Sequence, residues 1–364
     1  MKTKQAGAVA MAALMVAGTL LTGCAGGGDQ SVPSDDVPAV SEPTTRTVLD
    51  SNGTEVSIPA DVERVAPGIG AFAQVTEMLT QGSGKIAAAA VKQISDDFKS
   101  TFPDYAQSNP DNRDASSVED LVAAEVQVVY GPESLYSDEQ RAQLDEAGIA
   151  FVALNNIGSV DGMCESILTI GEILGSDEQA VAQRFVDYYR AGLSDAEKRT
   201  AGIADADKRG TLQLNMAGGA YTCATKDDIS NAYYVAAGAR NVAADYTGAK
   251  SGQYPTVDAE QIVAWNPSLI VAMNAETKDA VMADPALAEI DAVRNGNVVT
   301  CPTGLYLWCV RSGEGALMTP WLGTSLYPDL FSDVDMVNVL QDFYQKFYRA
   351  DLSAGDAETI LAGA

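Results

Sequence analysis

Between Ser176 and Ala201 the chain reads SDEQAVAQRFVDYYRAGLSDAEKRTA, with no proline. Apolar side chains fall at Val181, Phe185, Tyr188, Tyr189, Leu193 and Ala196, the spacing of a helix with one buried stripe. Ser176 followed by Gln179 fits a capping box, Lys198 and Arg199 suit the negative end of the helix dipole, and Gly202 can end the run. A helix from Asp177 to Ala201 spans roughly 38 Å, enough to bridge two domains. An ordinary surface helix would show the same pattern, so the flanks decide.

Both flanks alternate strands and helices. Before the run, Val62 to Ala66 predicts a core strand followed by the turn Pro67-Gly68-Ile69-Gly70 and a helix from Phe72 to Thr80. Val126 to Tyr130 and Ala150 to Leu154 predict further strands, with helices from Ser137 to Ala147 and from Val160 to Leu174. After the run, strands are expected at Thr211 to Leu214, Leu269 to Ala272 and Asn297 to Thr300. Such alternation predicts mostly parallel sheets covered on both faces. Near the start, Asn52-Gly53 between two apolar alternations predicts a hairpin.

An internal repeat links the halves. Glu119-Asp120-Leu121-Val122-Ala123, then Val128-Val129, matches Glu260-Gln261-Ile262-Val263-Ala264, then Leu269-Ile270, at the same spacing. Pro267 has no counterpart in the first half, where Val126 takes its place. One repeated helix–strand unit is suggestive only. With the long helix between two α/β halves, it predicts two lobes facing each other across a cleft.

Composition removes several classes of function. The net charge of −27 repels nucleic acid and anionic headgroups. Histidine is absent, which eliminates Ser-His-Asp and Cys-His nucleophiles and imidazole metal cages. A bare divalent metal would need an all-oxygen site. Gly82-Ser83-Gly84-Lys85 is not a phosphate loop, because Leu79 replaces its first glycine and Ile86 its Ser or Thr.

The amino terminus has a basic start (Lys2, Lys4), an apolar run from Ala6 to Leu21, and Leu21-Thr22-Gly23-Cys24. The run predicts a signal peptide over residues 1–23 rather than a membrane span. Leu-Thr-Gly-Cys resembles the bacterial lipobox, in which Cys24 would become the lipidated first residue of the mature protein. Residues 24–45 are rich in Gly, Ser, Pro and Asp and predict a disordered tether. The remaining divisions are a first lobe over 46–175, a backbone helix over 176–203 and a second lobe over 204–364.

Several segments in order resemble one family, the substrate-binding lipoproteins of bacterial ABC importers for iron–siderophore complexes, cobalamin, haem and related chelates. They are Val62-Glu63-Arg64-Val65, Ser117 to Leu121, Ala237 to Ala243, Val257 to Ile262 with Trp265-Asn266-Pro267, and Trp321-Leu322 with Leu326-Tyr327-Pro328-Asp329. The resemblance covers nearly the whole chain after the tether. It implies two Rossmann-like α/β lobes joined by a single long α-helix, with the ligand cleft between them. It also implies a binding protein rather than an enzyme, no cofactor, and an outer-face location through the lipidated cysteine. The implied partners are a permease with its ATPase and a small metal chelate, with no nucleic acid; the chain itself would be a monomer.

The resemblance further implies a glutamate on each lobe's tip that pairs with permease arginines, here Glu119 and Glu260. Solvated carboxylates at helix starts would look alike. Cleft loops are expected at the carboxyl ends of strands: Gly68 to Ala71, Gly131 to Ser134, Gly218 to Tyr221 and Gly304 to Arg311. The candidate ligand residues are Gly70, Ala71, Glu133, Ser134, Tyr221, Tyr306, Trp308 and Arg311. Aromatic faces with a guanidinium suit a large planar or anionic chelate such as an iron–siderophore complex, with cobalamin, haem or an oxyanion such as molybdate as alternatives. Tyr306 and Trp308 could equally be core, with Arg311 in a structural ion pair. Tyr233 and Tyr234 are read as packing.

Four cysteines follow Cys24, and an even count outside the cytoplasm invites disulfides in one of three connectivities. Cys301 with Cys309 would brace the proposed binding loop, leaving Cys164 with Cys223 either side of the long helix. A soft-metal cysteine cluster is the rival, and the wide spacing argues against it. A carboxylate-based surface enzyme would need two opposed acids in the cleft, and only Glu133 offers itself. A structural adhesin would need no pocket.

Overall fold

The structure, a computed structural model, describes residues 44–155 and 158–363. The expected signal peptide, Cys24 and nearly all of the expected tether lie outside the described residues. Among those described, no helix is long and apolar enough to cross a membrane.

Two α/β lobes flank one long helix. The described chain opens on an antiparallel hairpin, Thr45–Leu49 with Glu55–Pro59. Its turn is longer than a two-residue Asn-Gly loop: Asp50 Oδ1 accepts from the amides of Asn52 and Thr54, and Gly53 takes a positive φ of 76°. The first lobe's sheet is wholly parallel, in the order Val65–Pro67, Val128–Gly131, Ala150–Ala153. The helix Gly70–Thr80 leaves the first strand with all of its residues buried.

The second lobe departs from the expected parallel sheet. Val298–Thr300, Leu269–Ala272 and Gly210–Ala217 are parallel neighbours, but Ala220–Cys223 and Tyr254–Val257 continue the sheet antiparallel. The cause is local. Gly218 and Gly219 adopt φ of 59° and 81°, so the chain reverses in a tight hairpin where a cleft loop was expected.

The internal repeat extends to the backbone. Helix Val118–Ala123 leads to Val128–Gly131, and helix Ala259–Trp265 leads to Leu269–Ala272. Leu121 and Ile262 are the fully buried residue of each helix. Glu125 and Asn266, at matching positions, both take the left-handed conformation with φ of 51° and 42°. A non-glycine residue there is uncommon, so its recurrence marks one supersecondary unit used twice.

The joining helix is Ser176–Thr200. Its start differs from expectation: Gly175, at φ 142°, takes the N-cap position and no side chain caps it, so the Ser176–Gln179 capping box does not form. The expected stripe is buried at Val181, Phe185, Tyr189 and Ala196, with Tyr188 and Leu193 half-buried. Phe185 packs edge-on against Phe347 at 5.0 Å between ring centroids, and Tyr188 does so at 5.2 Å. Burying one such ring contributes about 1.5–3 kcal/mol. A single hydrophobic core therefore runs from Phe72 and Met78 in the first lobe, across this helix, to Trp308 and Phe343 in the second.

Candidate ligand cleft and docking faces

Each lobe contributes strand-end loops to the junction. On the first lobe, Gly70 opens its helix with its amide donating to Gln93 Oε1 at 2.7 Å. On the second, the Tyr306 hydroxyl donates to the same oxygen at 3.2 Å. A Cβ on Gly70 would lie 2.9 Å from the Tyr306 ring, so the close approach of the two loops requires glycine here. Burial raises the Tyr306 pKa, and nearby Arg311 opposes the rise.

Arg311 lines a cavity of about 380 Å³. Its walls are Gly158 from the first lobe and, from the second, Thr225, Asp227, Asp228, Lys250 and Tyr254 among others. Neither the Arg311 nor the Lys250 side chain makes an ion pair or hydrogen bond with another described residue. The Tyr254 hydroxyl is buried without a hydrogen-bond partner among the described residues. Burial raises its pKa; Gln253 lies near enough to pull it down slightly but outside hydrogen-bond geometry. The two unpaired cations in this lining can meet anionic oxygen atoms. Asp227 and Asp228 line the same cavity, and the Asp228 charge adds to the rise in the Tyr254 pKa.

The candidate ligand residues separate into three groups. Gly70 and Tyr306 come together at Gln93 but do not line the cavity that Arg311 lines. Glu133 and Ser134 are exposed on a turn after the second strand; Glu133 pairs with Arg141 at 3.4 Å, and neither lines the Arg311 cavity. Ala71, Tyr221 and Trp308 are buried, and none of them lines the Arg311 cavity. Tyr221 sits in the second lobe's own core with its hydroxyl 3.3 Å from Asp284. Trp308 is fully buried and donates its indole N–H to Glu314 Oε2 at 3.1 Å, so its ring is not a stacking surface. Tyr233 and Tyr234 are fully buried, in line with packing; Tyr233 meets Tyr189 hydroxyl to hydroxyl at 2.5 Å.

Cys164, Cys223, Cys301 and Cys309 are all free and buried. Cys164 belongs to the core shared by the lobes and Cys223 to the second lobe's separate core. Burial pushes their thiols up to about 11 and about 12. Cys301 and Cys309 do approach, as neighbouring thiols rather than a disulfide.

The two tip glutamates occupy equivalent settings. Ser117 caps the helix that carries Glu119, and Asp258 caps the one that carries Glu260. Both carboxylates are exposed and neither pairs with a described residue. One turn on, Val122 is 51% exposed and Val263 45% exposed. Each face thus pairs a free carboxylate with an exposed valine. The repeat already aligned these valines in the sequence, whereas no motif pointed to Gln93, Lys250 or Tyr254.

Comparison with known proteins agrees with this geometry. The periplasmic binding protein family matches residues 75–304. An uncharacterized ABC transporter substrate-binding lipoprotein of Bacillus subtilis, YvrC, is 26% identical over 327 residues, covering 88% of this chain and 98% of that protein. The molybdate-binding protein MolA of Haemophilus influenzae is 25% identical over 352 residues, covering 86% and 93%. Among solved structures, a periplasmic solute binding protein from Veillonella parvula has a TM-score of 0.71 at 23% identity, covering 87% of this chain and 96% of that one. With two α/β lobes, a helical connection and a cleft between strand-end loops, the chain belongs to the periplasmic binding protein family, the substrate-binding proteins of ABC transporters.

Proposed function

We propose that this protein is an extracytoplasmic lipoprotein, held by Cys24 and a short tether, that captures an anionic metal chelate of the iron–siderophore type and delivers it to an ABC importer permease. The observation that carries this reading is the unpaired Arg311 guanidinium in an interlobe cavity, with Lys250 and the Tyr254 phenol beside it. The Asp227 and Asp228 carboxylates in the same lining favour a chelate over a bare anion. A chelate can turn anionic donor oxygens toward Arg311 and less negative parts toward the aspartates. With Trp308 in the core, recognition rests on charge and hydrogen bonds rather than stacking.

A second reading, capture of an oxyanion such as molybdate, draws on the modest cavity of about 380 Å³ and the Thr225 and Thr247 side chains in its walls. That volume lies at the small end of the ~300–1,000 Å³ typical of small-molecule pockets. Glu119 with Val122 and Glu260 with Val263 form the docking faces in either case. Neither reading includes catalysis.

Isothermal titration of the chain with a ferric catecholate siderophore, haem, cobalamin and molybdate separates the readings. Tight binding of the ferric siderophore alone supports the first, and of molybdate alone the second. Failure to bind any of the four removes the support for both.

A further inference from the structure

The loop that carries Tyr306 and Arg311 closes on one side chain. Glu314 is fully buried. Its Oε1 accepts from the Leu305 amide at 3.0 Å, the Tyr348 hydroxyl at 3.1 Å and the Tyr344 hydroxyl at 3.2 Å. Its Oε2 accepts from the Trp308 indole at 3.1 Å and the Tyr306 amide at 3.2 Å. No lysine or arginine among the described residues pairs with it. A carboxylate offers about four lone-pair sites, so these neutral donors saturate it. Burial raises its pKa and the hydrogen bonds hold it back. Gly304 permits the arrangement, since a Cβ there would lie 2.7 Å from both carboxylate oxygens.

The same carboxylate reaches the first lobe. Tyr348, which donates to Glu314, accepts from Gln74 Nε2 at 2.7 Å, and Gln74 Oε1 accepts from the Gly313 amide at 2.9 Å. Arg311 lies between these fixed points, with Trp308 bonded on one side and Gly313 and Glu314 on the other.

We propose that Glu314 is the positioning residue of the solute cleft: it clamps Gly304 to Trp308 from within, so that Tyr306 meets Gln93 and Arg311 is held out into the cavity. The proposal rests on the reading that Arg311 meets the solute. Because the clamp is tied to Gln74, loop shape and lobe apposition are set together. A carboxylate that merely stabilised the fold would change the unfolding midpoint and leave affinity alone.

The test compares the full chain with Glu314→Gln and, as the conservative variant, Glu314→Asp. Hydrogen exchange over residues 303–312 and the Trp308 indole N–H resonance are read without ligand. Affinity is then read by titration with a ferric catecholate siderophore and with molybdate. In Glu314→Gln we expect the indole resonance to move, loop exchange to quicken by at least about tenfold with the helix Ser176–Thr200 unchanged, and affinity to fall by about tenfold. Glu314→Asp restores part of each and keeps the test open if the glutamine variant does not fold. Unchanged loop exchange and indole resonance overturn the proposal, as does affinity within about twofold of the parent despite a loosened loop. If the parent chain binds neither probe, the solute reading fails, and exchange with the indole signal alone decides the clamp.

Discussion

Gln74 of the first lobe accepts a hydrogen bond from the backbone amide of Gly313, 239 positions later in the second lobe, at 2.9 Å and out of contact with water. The lobes are therefore joined by a buried polar bridge as well as by the long helix. Replacing Gln74 with leucine orphans the Gly313 amide, at a cost of about 1–3 kcal/mol. Urea denaturation should show that loss, and an unchanged midpoint would remove the bridge from the list of stabilising contacts.

Glu77 should make stability fall as pH rises. It is wholly buried, and both carboxyl oxygens lack a partner among the described residues. Burial, aided by the nearby Asp104 charge, raises its pKa from 4.5 to about 8. Between those values the folded chain keeps a proton that the unfolded chain has released. Folding therefore takes up a proton, stability is greatest below the unfolded pKa, and it is lost as pH rises through the folded pKa. The slope is about 1.4 kcal/mol per pH unit. Glu77→Gln should flatten this slope, gaining more over the parent at pH ~8 than at pH ~5, by up to about 4 kcal/mol. Parallel denaturation curves for the two proteins at both pH values would contradict this.

Arg311→Ala should weaken solute binding by about tenfold or more, since a hydrogen bond to a charged group contributes about 1.5–3 kcal/mol. Thermal stability should be nearly unchanged, because the guanidinium pairs with no described residue. Arg311→Lys should recover only part of the affinity, as an ammonium lacks the planar fork. Titration and a melting curve on each variant check both halves of the expectation.

Transport and binding should separate at the lobe tips. The double change Glu119→Lys and Glu260→Lys leaves the cavity untouched, so solute affinity should persist while cellular uptake is lost. Val122→Ser with Val263→Ser should lower uptake by a smaller factor. Uptake that survives the charge reversal, with affinity intact, would sink the docking role of these faces.

Much of the fold was legible because it is written in local periodicity. Val181, Phe185, Tyr189 and Ala196 announced a helix with one buried stripe, and those residues are buried. The helix–strand unit at Glu119 and Glu260 repeats down to its left-handed turn residues, Glu125 and Asn266. Where the pattern misled, a local competitor won. Gly175 displaced the Ser176 cap, and Gly218-Gly219 turned an expected cleft loop into a hairpin.

The site was legible only in part. Placement of Tyr306 and Arg311 at a strand end follows from the α/β pattern, and both lie at the junction of the lobes. Trp308, two residues from Tyr306, lies in the core, because its indole finds a buried carboxylate. Nothing in the loop's own sequence distinguishes the two rings.

Two α/β lobes, a long helix between them and a repeated pair of acidic faces were legible in the sequence, since each follows from spacing within a few turns of chain. Tertiary structure alone decided which loop residues face the cavity. That choice is made by Glu314, held by donors up to 34 positions away, and by Gln74, which meets Tyr348 from 274 positions earlier in the chain. Burial and hydrogen-bond satisfaction are properties of residues brought together by folding, and no local spacing encodes them.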